Sequence, residues 1–134
     1  AAAAAARRAT ADDIVALYAI AAKFDDLSHT PESIAKVDLE FHLAIARMSG
    51  NPFMHSASAL IEAALSIAFQ LSSPASSPDM IEEIAGNHLR IAHAIASRDP
   101  EKAIAAMRHV IDVGRSRIQK SLTPAGRENV GSGS

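Results

Sequence analysis

Six histidines and no cysteine bound the chemistry open to this chain. Without cysteine there is no thiolate nucleophile, no disulfide and no sulfur ligand, so any metal site must use nitrogen and oxygen. The segment Val37-Asp38-Leu39-Glu40-Phe41-His42 puts an acid and an imidazole four residues apart. Residues i and i+4 share one face of a helix, and that face here reads Ile34, Val37, Asp38, Phe41, His42, Ile45 and Met48. An unpaired carboxylate in an apolar stripe costs several kcal/mol, so Asp38 must be paired, hydrogen-bonded or bound to a metal.

Periodicity separates the remaining histidines. His88 falls in the stripe Ile81, Ile84, Ala85, His88, Ile91, Ala92, Ile95 and points into the core. His109 has Ala105, Ala106 and Val113 as helical neighbours, beside a main apolar row Ile104, Met107, Ile111, Ile118, and is expected in the core or at its edge. His93 shares a face with Leu89, Arg90 and Ser97 and reads as solvent-facing, as do His29 in a loop and His55 in a first helical turn. A very short turn at Arg98-Asp99 makes the helices on either side antiparallel neighbours. His88 and His109 lie about ten residues from it on each side, which at roughly 1.5 Å per residue puts both about 15 Å away, at one height. Asp38, His42, His88 and His109 can therefore converge in the middle of a bundle.

Three imidazoles and one carboxylate suit zinc, nickel, iron or manganese. Four protein ligands close a tetrahedral site but leave two positions of an octahedral one, where water or a small carboxylate can bind. The competing account of these residues is a set of hydrogen-bonded core side chains with no ion. Metal affinity should fall as pH drops through about 6, because an imidazole ligates only when neutral. A row on the third helix, Ser58, Glu62, Ser66 and Gln70, reads as a solvated face that could instead line a pocket; Arg47 and Arg90 read as surface residues.

The elements that must position this quartet are strongly punctuated. Thr30-Pro31, Asn51-Pro52, Ser77-Pro78 and Asp99-Pro100 each set a capping side chain before a proline, the pair favoured at the start of a helix. They predict helices over 31–49, 52–71, 78–97 and 100–120, after one over 11–27 in which Ile14, Leu17, Tyr18, Ala21 and Phe24 keep helical spacing. Gly50 stands where the 31–49 helix should end, and Ser72–Ser77 reads as a flexible loop. Residues 1–10, AAAAAARRAT, read as the end of a truncated first helix; the tail from Thr123 ends GSGS and reads as a linker or tag remnant outside the fold. No strand pattern or internal repeat is visible. The expected architecture is all-α, an antiparallel helical bundle over 1–122 with a tail over 123–134.

Composition fits. The chain has 134 residues, 49% hydrophobic, with four phenylalanines, one tyrosine and no tryptophan, which favours closely packed helices. A net charge of −2 and a pI near 6.3 argue against direct binding to nucleic-acid backbone. With no apolar run long enough for a membrane span and no signal-peptide layout, the chain reads as soluble and cytoplasmic.

VDLEFHLAIARMSGNPF (37–53) and NHLRIAHAIASRDPEKAIAAMRHV (87–110), together with AAARRATADDI (4–14), resemble the FCD effector-binding domain. This is the C-terminal domain of FadR-like GntR-type bacterial transcription regulators. The resemblance spans nearly all of 4–120. It implies a helical bundle that binds a divalent metal through Asp38, His42, His88 and His109, holds a small carboxylate metabolite there, forms a homodimer, and controls operator DNA through a winged-helix domain not contained in this chain. The expected function is thus ligand sensing without catalysis. Its rivals are a metal-dependent hydrolase-like enzyme, for which no general base or nucleophile motif is evident apart from Glu62, and a purely structural helical module.

Overall fold

The structure, a computed structural model, describes residues 1–53, 56–57, 60, 63–64, 67 and 77–122, and of residues 118, 121 and 122 only the backbone. Among the described residues the helices with defined bounds are α1 (Ala2–Arg8), α2 (Ala11–Ala22), α3 (Pro31–Met48), α4 (Pro78–Ala96) and α5 (Pro100–Leu122), and there is no strand. The described positions between Pro52 and Ile67 are helical too. The remainder of the expected 52–71 helix, the Ser72–Ser76 stretch, the tail over 123–134, His55 and the row Ser58, Glu62, Ser66, Gln70 lie outside the described residues.

All four cap-plus-proline signals start helices. Thr30 accepts from the Ser33 amide at 3.1 Å while its own amide donates to Ser33 Oγ, a reciprocal cap that fixes the start of α3. Ser77 accepts from Met80 N at 3.4 Å and Asp99 Oδ1 from Lys102 N at 3.1 Å, at the starts of α4 and α5. Asn51 Oδ1 accepts from Phe53 N at 2.9 Å. At the far end of α3 Gly50 takes φ +74°, and an added Cβ would come within 2.7 Å of Arg8 Nη1. The glycine thus serves both the left-handed turn and the close approach of Arg8, whose Nη1 donates to the Ser49 carbonyl at 3.4 Å.

Two expectations change. The helix over 11–27 stops at Ala22, because Asp26 turns the chain: its Oδ1 accepts from Ser28 N at 2.9 Å and Ser28 Oγ at 2.6 Å. Such side-chain bonds compete with helical ones. Phe24 still reaches the core from this turn and is fully buried. The second change concerns α5, where Ala103 and Ala106 face inward while Ile104 and Ile111 are 37% and 44% exposed. α5 packs on the alanine-rich α1, whose Ala2, Ala5 and Ala6 are buried in the same cluster. Small side chains on both helices permit that close approach.

The core joins Leu17 and Ile20 of α2, Ile34, Val37, Phe41 and Ile45 of α3, and Ile81, Ile84, Ile91 and Ile95 of α4. The inward stripe of α3 is buried from Ile34 to Met48, as its spacing predicts. No helix is long and apolar enough to cross a membrane among the described residues.

Candidate metal centre

Three polar side chains sit inside that apolar frame. Asp38 and His42 come from the middle of α3 and His88 from the middle of α4, and they are 4%, 8% and 1% exposed. Asp38 Oδ1 lies 3.2 Å from His42 Nε2 and 3.0 Å from His88 Nε2. One oxygen and two imidazole nitrogens thus lie within 4.8 Å of one another, all on buried side chains.

The surroundings hold the rings still. His88 stacks on Phe24 with centroids 4.1 Å apart and meets Phe41 edge-on at 5.0 Å. His42 meets Phe41 at 5.7 Å and His88 at 5.6 Å, both edge-on. Phe24 is supplied by the turn after α2 and Phe41 lies one turn before Ile45 on α3, so three separate elements build this cage.

The proton inventory shows what the cluster can do. His88 Nδ1 lies 2.8 Å from the Ile84 carbonyl, which can only accept, so Nδ1 must carry a proton. In the neutral ring Nε2 is then an unprotonated acceptor facing the Asp38 carboxylate at 3.0 Å. Two lone pairs at that distance repel unless a cation lies between them: a second proton on the ring, or a metal ion. A backbone carbonyl that fixes the tautomer of a metal-ligating histidine is the usual outer support of such sites.

Asp38 is held anionic to match. Burial pushes its pKa up, but charge and hydrogen bonding from His42, then from His88, outweigh it, so the carboxyl stays well below the usual carboxylate range. The spacings also suit a metal. Ligands about 2.1 Å from a common ion lie roughly 3.0 Å apart at right angles and 3.4 Å apart at tetrahedral angles, and the two carboxylate–imidazole distances fall inside that interval.

His109 is not brought to this cluster. It is exposed and lines an outer groove between α4 and α5. Its height on α5 is suitable, yet the helix turns Ala103 and Ala106 inward, which leaves His109 on the flank of the packed face. Of the other histidines, His93 is exposed and bonded to Tyr18 Oη at 2.7 Å. His29 is half-buried between the Lys23 carbonyl at 2.7 Å and Ser33 Oγ at 2.8 Å, a staple between the α2 end and α3. Arg47 and Arg90 are exposed.

Sequence reasoning passed over two groups here. Arg117 on α5 is half-buried; burial pushes its pKa below the usual guanidinium value, against the nearby negative charges of Glu83 and Asp38. A positive charge therefore flanks the cluster, although Arg117 stands outside every motif in the sequence. Asn87 is 6% exposed and its carboxamide has no hydrogen-bond partner among the described residues. Its place immediately before His88 was the available signal. A buried amide without a partner is uncommon and costly.

A comparison with protein families matches residues 1–113 to the FCD domain. A comparison with curated proteins finds no match.

Proposed function

Because the chain belongs to the FCD domain family, the ligand-sensing domain of GntR-type regulators, we propose that it senses a small organic acid through a divalent metal. Asp38, His42 and His88 hold the ion in this reading, with zinc or nickel favoured over manganese or iron by the two imidazoles. The single observation that carries it is Asp38 Oδ1 faced by two imidazole Nε2 atoms at 3.0 and 3.2 Å, one of them with its proton fixed on the far nitrogen. A purely structural core meets the same geometry only by a second proton on His88, as a buried ion pair with Asp38.

His109 is the fourth ligand we propose, on the strength of the motif resemblance. Reaching the ion requires α5 to turn its flank inward; Ala106 beside it is already buried. An organic acid then occupies the remaining coordination positions, and Asn87 is the buried group available to recognise a second polar atom of it. Occupancy that favours one setting of α5 over another alters the bundle and, in a homodimer, the spacing of operator-binding domains carried elsewhere in the regulator. Such a response requires different affinities for the two settings. The domain acts in the cytoplasm and performs no catalysis in this reading.

The test is metal analysis of untagged protein, followed by thermal shift of chelator-stripped chain with zinc, nickel and manganese, each alone and with a panel of small organic acids. Bound metal, a rise in melting temperature, and a further rise with one acid are expected. No metal in the isolated protein and no shift with any of the three ions overturns the proposal.

A further inference from the structure

Apart from the buried cluster, the described residues form an outer groove of about 420 Å³ between α4 and α5. Its apolar part is Ala94, Ala105 and Ala106; its polar part is Arg90, His93, Lys102, His109 and Ser97. No carboxylate lines it among the described residues, although the chain as a whole is net negative. Neither the Arg90 guanidinium nor the Lys102 ammonium has an ion-pair partner among the described residues. Every polar side chain here except Ser97 is cationic or able to become so.

His93 adds an independent observation. Its Nδ1 is 2.7 Å from Tyr18 Oη, and the two rings meet edge-on with centroids 5.3 Å apart. In the tautomer where the phenol donates to Nδ1, the neutral ring carries its proton on Nε2 and has a donor left for a ligand. Tyr18 from α2 thereby orients a side chain of α4.

We propose that this groove binds an organic oxyanion, a carboxylate or phosphate carried on an apolar body. The alanines accommodate the body, and Arg90, Lys102 and the His93 donor accept the charge. Arginine suits either oxyanion through its planar fork of donors, and the volume falls in the range of small-molecule sites. Residues of both α4 and α5 line the groove and none of Asp38, His42 or His88 does, so an occupant bridges the two helices without entering the buried cluster. Of the four proposed metal ligands only His109 lies on the groove wall.

The experiment is amide NMR of the metal-free full chain titrated with phenyl phosphate, benzoate and inorganic phosphate. Saturable shifts at Ala94, Ala105 and Ala106 with an aryl anion, and weaker binding of inorganic phosphate, are expected. Whichever aryl anion binds tighter identifies the preferred oxyanion. Arg90→Ala and Lys102→Ala, both at exposed positions and therefore harmless to folding, should each weaken the aryl anion about tenfold. Absence of saturable groove shifts with both aryl anions, binding unchanged in the double variant, or shifts centred on Asp38, His42 and His88 overturns the proposal.

Discussion

His88 Nε2 and Asp38 Oδ1 face each other at 3.0 Å while His88 Nδ1 is committed to the Ile84 carbonyl at 2.8 Å. The pair is therefore complete only with a cation. Asp38→Asn keeps the shape of the side chain and removes its charge. It should weaken zinc or nickel binding by at least about 100-fold, as should His88→Ala, measured by chelator competition. Affinity within threefold of the unaltered chain would refute ligation by these residues.

Metal removal should lower stability without unfolding the domain, since the apolar core extends well beyond the cluster on all three helices. Binding at 100 times the dissociation constant contributes about 2.7 kcal/mol, which for a domain of this size corresponds to a melting shift of roughly 5–15 °C. Calorimetry of stripped and reloaded protein reads this directly; identical melting curves would contradict it.

The pH response of the metal-free chain follows from Asp38. Its folded pKa lies below the unfolded value of about 3.9, so its contribution to stability is fully present above that value and is lost as pH falls through and below it. Asp38→Asn should therefore flatten the acid limb of the stability curve below about pH 4. A steep acid limb of equal size in both proteins would show that other carboxylates account for it.

His109 supplies a coupling test. If it leaves the groove wall to ligate the ion, zinc loading should weaken aryl-anion binding in the groove, and His109→Ala should abolish that effect while reducing zinc affinity. Zinc affinity unaltered by His109→Ala would leave a three-residue protein site and remove the fourth ligand from the proposal, with the groove's own anion binding unaffected.

Asn87 carries a buried carboxamide at 6% exposure with no partner among the described residues. Replacement by Leu removes the desolvation cost and should stabilise the metal-free chain by about 1 kcal/mol in denaturant unfolding. The same variant should lose the extra thermal shift given by an organic acid over metal alone. Destabilisation together with an intact acid response would show that Asn87 is a structural residue.

The sequence determined a great deal by local rules. Cap-plus-proline pairs fixed where α3, α4 and α5 start, and period 3.6 identified the buried stripe of α3 and the inward face of α4, because both signals act within one or two helical turns. The same spacing brought Asp38 and His42 together and turned His88 inward, so the burial of three of the four expected residues was legible, and the family resemblance rested on these residues too. Where α2 ends was misjudged: Asp26 and Ser28 replace helical bonds with side-chain bonds, a choice the apolar spacing of Phe24 conceals.

Only the tertiary structure decided the rotation of α5. Its sequence offers two inward faces, a row of isoleucines and a row of small residues flanked by His109. Local periodicity cannot choose between them, since the choice depends on what packs opposite. α1 packs on α5, and the alanines of α1 are buried in one cluster with Ala103 and Ala106, which leaves Ile104 and Ile111 toward solvent and His109 on the groove wall. Helix connectivity sets the height of a residue along a bundle, but the partner surface sets the direction in which its side chain points.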